Sequence, residues 1–161
     1  MIAANQKMLQ LMCGLVVATA DSALPAELQQ ILDAGIIEED GCWFLAMLRN
    51  RNGNISINKA FDLTGLECLI NKVYFDAEPN VAKALEKQGF LFANALKILL
   101  APYGVFKIII AVGQTDFEKT PNLPSCTIRF HKVRNGESWL ADDLEGYPEE
   151  ALLILTTGDQ N

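Results

Sequence analysis

Val105-Phe106-Lys107-Ile108-Ile109-Ile110-Ala111-Val112 carries one polar side chain, Lys107, in a run that is otherwise apolar and rich in β-branched residues. A strand covered on both faces needs that composition, so this segment is expected at the centre of a sheet. Downstream, Cys126, Ile128 and Phe130 alternate with Thr127, Arg129 and His131, the period of a strand with one covered face. Gln114 to Pro124, between the two, is polar, holds two prolines and is expected to be a loop. Asn135-Gly136 turns the chain, Ser138 to Leu144 is mixed, Gly146-Tyr147-Pro148 interrupts it, and Ala151 to Leu155 supplies a last apolar strand.

Upstream, Pro102-Tyr103-Gly104 closes a helical region that opens at Pro79. Its stripe is Val81, Leu85, Phe92, Leu96 and Leu99, with Gly89 as a place to bend or split. Phe61 to Phe75 has helical spacing through Leu63, Leu66, Leu69, Ile70 and Val73 behind two possible caps, Asp62 and Thr64, and Val73-Tyr74-Phe75 can pass into a short strand. Cys42 to Leu48, the Asn-Gly step at Asn52-Gly53 and the alternation from Asn54 to Asn58 predict a hairpin. Glu38-Glu39-Asp40-Gly41 is expected to be an exposed turn. Pro25 opens a helix with Leu24, Leu28, Ile31 and Leu32 on one side, and Gly35 stops it. Lys7, the apolar run Met8 to Val17 and Ala18-Thr19-Ala20 follow the order of a secretory leader. Gln10 and the single preceding cation favour an amphipathic first helix instead, with Met8, Leu9, Met12, Leu15 and Val16 on one face. Grouped helices and strands predict an α+β fold, one domain over residues 1–161, with a largely antiparallel sheet of about five strands and helices packed on one face.

All 13 Lys and Arg lie at or before Arg134, whereas Glu137, Asp142, Asp143, Glu145, Glu149, Glu150 and Asp159 follow it, so the net charge of −7 resides beyond Arg134. Nucleic acids and anionic membranes are bound through Lys and Arg, which argues against either as direct partner and suits a basic protein. An acidic end that only maintains solubility is the plain alternative. Trp139 and Tyr147 flank Asp142, Asp143 and Glu145, the composition of many interface centres, though Trp139 fits a core slightly better. Glu38, Glu39 and Asp40 form a second acidic group.

Chemistry is sparsely signalled. The sole histidine, His131, is expected on the exposed side of its strand, and no second histidine exists to build a two-histidine metal site. No phosphate-binding glycine pattern occurs. Cys13, Cys42, Cys68 and Cys126 are far apart and sit in apolar segments, which favours buried reduced thiols. No enzyme activity, metal or cofactor is expected. If there is catalysis, its best candidates are His131 with Asp142, Asp143 and Glu145.

Phe61-Asp62-Leu63-Thr64-Gly65-Leu66-Glu67-Cys68-Leu69-Ile70-Asn71-Lys72-Val73-Tyr74-Phe75-Asp76, and Gly136-Glu137-Ser138-Trp139 through Tyr147-Pro148-Glu149-Glu150-Ala151-Leu152-Leu153-Ile154, resemble segments of small bacterial immunity proteins of contact-dependent growth inhibition and related polymorphic toxin systems. The resemblance implies a cytoplasmic antidote, without catalytic residues, that covers the active site of a secreted protein's C-terminal toxin domain, often a nuclease. A monomer is favoured. A small acidic chaperone for a secreted effector is the other binding role that suits the charge.

Overall fold

A computed structural model of the chain describes residues 2–13, 23–75, 85–117 and 120–158, with backbone alone at 86–87, 114–117 and 120–124. The expected stripe residue Val81, the far half of the first expected helix and Asp159 lie outside the described residues.

Among the described residues, seven strands and five α-helices alternate irregularly: β1 (Ile2–Ala4), α1 (Gln6–Met12), α2 (Ala26–Asp33), β2 (Ile36–Glu39), β3 (Cys42–Leu45), α3 (Ala46–Arg51), α4 (Leu63–Ile70), β4 (Val73–Phe75), α5 (Phe90–Leu100), β5 (Phe106–Phe117), β6 (Thr120–Lys132) and β7 (Ala151–Thr156). Five strands form one sheet in the order β1-β7-β5-β6-β4, every pair antiparallel, and β2-β3 is a separate hairpin. The fold is α+β, and the apolar run around Ile108 is the central strand, flanked by β7 and β6. Beyond the expected elements, Ile2–Ala4 adds an edge strand on β7.

Alternation sorts the sheet into two faces. Phe106, Ile108, Ile110, Ile128, Phe130, Leu153 and Leu155 point to the front and pack with Phe44, Phe92, Leu96 and the buried sides of α2 and α4. Aromatic rings meet edge to face there: Phe106 and Phe130 at 6.0 Å, Phe75 and Phe92 at 5.8 Å between centroids. The helix ending at Tyr103 is split near Gly89, where a π-helical turn (Leu85–Gly89) runs into α5.

Two expectations are overturned here. The hairpin lies one element earlier: Asp40-Gly41 takes positive φ at both residues, 51° and 80°, and closes a two-residue turn between Glu39 and Cys42. Asp-Gly favours that geometry as strongly as Asn-Gly does. Ala46–Arg51 is helical, and Ile57–Lys59 is a 3₁₀ turn. Gln114 to Pro124 is likewise not a loop, because β5 and β6 continue together to Phe117 and Thr120. Among the described residues β4 flanks β6 only at Cys126–Ile128, so Pro121 and Pro124 lie where β6 has a described strand on one side alone, a place where proline is tolerated.

The apolar spacing of α4 concealed a buried polar face. Asp62 caps the helix, its Oδ1 accepting from the Gly65 amide at 2.6 Å. Leu66 and Ile70 are buried as expected, but Leu69 is exposed, and Thr64, Glu67 and Asn71 are buried. Glu67 and Asn71 lie one turn apart and bridge β3 to β6. The Glu67 carboxylate accepts from the Trp43 and Lys132 amides, both at 2.7 Å, and from both terminal nitrogens of Arg134 at 2.7 and 2.8 Å. Asn71 Oδ1 accepts from the Leu45 amide, and its Nδ2 donates to the Trp43 carbonyl. These side chains supply the hydrogen bonds that a further strand would have given, and every oxygen of the buried charge is satisfied.

Candidate functional site

Lys107, Ile109, Ala111, Thr127, Arg129, His131, Leu152, Ile154 and Thr156 point to the back of the sheet, where the register sets Thr156, Lys107 and His131 in one row across three strands. Among the described residues no α-helix contributes to the apolar cluster on this face. Instead the irregular chain from Arg134 to Glu150 lies over it, burying Leu144 and partly burying Trp139, Leu140 and Tyr147 against Ile109, Leu152 and Ile154. Trp139 is therefore half core and half surface, with the Arg129 guanidinium 5.1 Å from its ring centroid.

Asn135-Gly136 makes the expected turn, with Gly136 at φ 78° and Arg134 bridged to Glu137. Further along, Tyr147 Oη accepts from the Ala141 amide at 2.9 Å, and Asp143 caps a 3₁₀ turn (Leu144–Gly146) through the Glu145 amide. Glu145 accepts from the Gln6 amide at 2.8 Å, at the start of α1. Asn5, 2% exposed, fastens α1 to β7: its Oδ1 accepts from Met8 and Leu152, and its Nδ2 donates to the Glu150 carbonyl. Lys7 donates to the carbonyls of Pro148 and Glu149, not to a carboxylate. The acidic layer is thus anchored at several points.

Asp142, Asp143, Glu145, Glu149 and Glu150 are all exposed on this layer. The ion pairs among the described residues are Arg49 with Glu39 and Arg134 with Glu67, so none of the five is neutralised by a described partner. The second acidic group is differently placed. Glu39 pairs with Arg49 at 2.5 Å, and Glu38 accepts from the Gly41 amide within its own turn, leaving Asp40 as the group's carboxylate without a described partner.

Beneath the acidic layer is a cavity of about 210 Å³. Its polar lining is Lys107, His131, Ser138, Asp142 and Thr156; Ile109, Leu144 and Ile154 supply apolar wall. His131 is 2% exposed, which corrects the expected surface position: the strand's second face is covered by the 134–150 segment, in whose irregular composition only Trp139 hinted at packing against a core. Its Nδ1 lies 2.9 Å from the Lys132 carbonyl oxygen, so Nδ1 carries a proton and the neutral ring offers Nε2 as acceptor. Burial pushes the imidazole pKa below its usual value, and Lys107 and Arg134 act in the same direction; the Lys132 carbonyl and Glu67 oppose them.

The structure brings His131 and Asp142 to one cavity, while Asp143 and Glu145 serve as caps outside it. Lys107 and Thr156 complete the lining. Lys107 was detectable in sequence as the single charge in the central strand, but its row with Thr156 depends on pairing register. Three cysteines are buried, which pushes the Cys42 and Cys126 thiols up to about 11 and about 12 and raises Cys68 as well; Cys13, expected to be buried, is exposed at the end of α1. Among the described residues no group of His, Cys, Asp and Glu is placed to hold a metal ion, and no helix is long and apolar enough to cross a membrane.

An antiparallel sheet with helices on one face and an anchored acidic layer on the other defines the class. The chain belongs to the Uncharacterized protein PM0498 family, whose profile matches residues 3–161. No curated protein and no solved structure matches it significantly.

Proposed function

We propose that this chain is a protein-binding module that neutralises a basic partner, and that the partner is a toxin domain of the kind blocked by immunity proteins in the cytoplasm. The observation that supports this reading is the set of five exposed carboxylates on the 142–150 layer, none with a described cationic partner. A nuclease-type cleft is basic because its substrate is polyanionic, and fixed carboxylates steer encounter with it and accept charge-assisted hydrogen bonds. Rigid anchoring by Asn5 and Glu145 lowers the ordering cost of binding. The hairpin group of Glu38, Glu39 and Asp40 is the weaker candidate, since Glu39 already has Arg49.

The test is association with the toxin domain encoded beside this chain's gene. Asp142→Lys with Glu149→Lys reverses two charges while sparing the caps made by Asp143 and Glu145. Association is expected to slow about tenfold or more, and wild-type association to weaken with added salt. Salt-independent binding and an unaffected double variant reject this surface; the absence of any adjacent toxin or isolable complex rejects the immunity reading.

Catalysis is a second reading, supported by one observation: His131 and Asp142 line the same cavity. His131 Nε2 is a base without an adjacent nucleophile, because Ser138 Oγ donates to the Leu140 carbonyl. His131→Gln leaves biological function intact under the binding reading and abolishes it, with the fold unchanged, under the catalytic one.

A further inference from the structure

Lys107 and Asp142 line the same cavity yet do not form an ion pair with each other. Among the described residues of the lining, Lys107 is the one lysine or arginine and Asp142 the one carboxylate, and Ile109, Leu144 and Ile154 give it an apolar wall. A lone anion seated at Lys107 would face the Asp142 carboxylate; a lone cation at Asp142 would face the Lys107 ammonium. A molecule carrying both charges satisfies both ends. Thr156 can donate beside Lys107, and the neutral His131 ring presents Nε2 as an acceptor. At about 210 Å³ the cavity lies below the roughly 300–1,000 Å³ of pockets for drug-sized ligands, which suits a small molecule such as an amino acid.

We propose that this cavity binds a small zwitterion, an α-amino acid with a compact apolar side chain, its carboxylate on Lys107 and Thr156 and its ammonium on Asp142. The apolar walls of Ile109, Leu144 and Ile154 contact the side chain, while Asp142 stands at the exposed rim. The site does not rest on the partner-binding reading, although it shares Asp142 with that surface; its floor, with Lys107 and Thr156, is the sheet.

Calorimetric titration of the full chain with L-valine tests it, beside two analogues that each keep one charge, isovalerate and isobutylamine. L-valine is expected to bind, and each analogue to bind at least about tenfold more weakly. Lys107→Met and Asp142→Asn should each weaken L-valine about tenfold, and methyl resonances of Ile109, Leu144 and Ile154 should shift on binding to the wild type. Asp142 is exposed, so Asp142→Asn remains informative should Lys107→Met fail to fold. Isovalerate binding as tightly as L-valine with Asp142→Asn silent would make this a simple anion site and overturn the proposal. So would the absence of heat and of shifts for L-valine at about 20 mM, a concentration that detects even millimolar affinity.

Discussion

The two faces of the sheet are built from the same three long strands and differ in what covers them. On the front, helices bring Phe44, Phe92 and Leu96 onto Phe106, Ile108 and Phe130, and the result is a dense apolar interior. On the back, a single irregular layer buries Leu144 with Ile109, Leu152 and Ile154, and leaves Lys107, His131 and Thr156 around a cavity. A thin layer without regular backbone hydrogen bonds contributes less apolar burial but sets polar groups at chosen points, through caps and single side-chain bonds. Stability is therefore assigned mainly to the front, and the recognition proposed above to the back.

The comparison is broken most directly by cutting matched holes in the two faces. Phe92→Ala, at a fully buried front position, is expected to cost about 3–5 kcal/mol. Ile154→Ala, beneath the back layer, is expected to cost about 2 kcal/mol, because the thin cover can settle into the space. Denaturant midpoints measure both, and equal losses would mean that the back layer is packed as firmly as the helices.

An effect of similar size sharpens the role of the polar bridge at the front layer's edge. Glu67→Gln keeps the shape but points an amide donor at groups that are themselves donors, the Arg134 guanidinium and the Trp43 or Lys132 amide. The expected loss is about 3 kcal/mol, because the remaining charge is left partly buried and unpaired. Adding Arg134→Met to Glu67→Gln should recover part of it, and a double-mutant cycle reads the coupling. Strict additivity would show that the pair contributes nothing as a pair.

That bridge also shows where sequence reasoning stops. The central strand was legible because burial on both faces dictates composition, and α2 because Leu28, Ile31 and Leu32 obey one period. In α4 the same rule identified the helix and offered Asp62 and Thr64 as caps, of which Asp62 is the one used; yet Thr64, Glu67 and Asn71 share a period of their own, and nothing local says that this polar face is buried between two strands. The Asp40-Gly41 turn was present as a signal and lost to Asn52-Gly53, whose flanking residues alternate equally well over a few positions. For the site, the acids on 142–150 could be read directly, since charge needs no register. The row of Thr156, Lys107 and His131 could not, because it exists only once β5 is paired with both neighbours.

The smallest expected effect isolates His131 in that row. Its folded pKa lies below the ordinary 6.5, with burial as the leading cause. Around it stand Lys107 from β5, Glu67 from α4, Arg134 beyond β6, and Asp142 from the covering layer, which lines the same cavity. When the unfolded chain takes up a proton that the folded chain refuses, unfolding is favoured by acid. Stability should therefore fall as pH drops below about 6.5, until the folded ring itself is protonated, and should be unaffected by this group above that value. Because the chain has one histidine, no other imidazole contributes to the window. His131→Asn keeps a donor near the Nδ1 position for the Lys132 carbonyl and removes the titration. Denaturant unfolding of both proteins between about pH 5 and about pH 8 should give a wild-type curve that rises with pH and then levels, and a flatter one for the variant. Parallel curves would mean that His131 gains its proton as readily in the folded protein as in the unfolded chain, and that the back face is wetter than its 2% exposure implies.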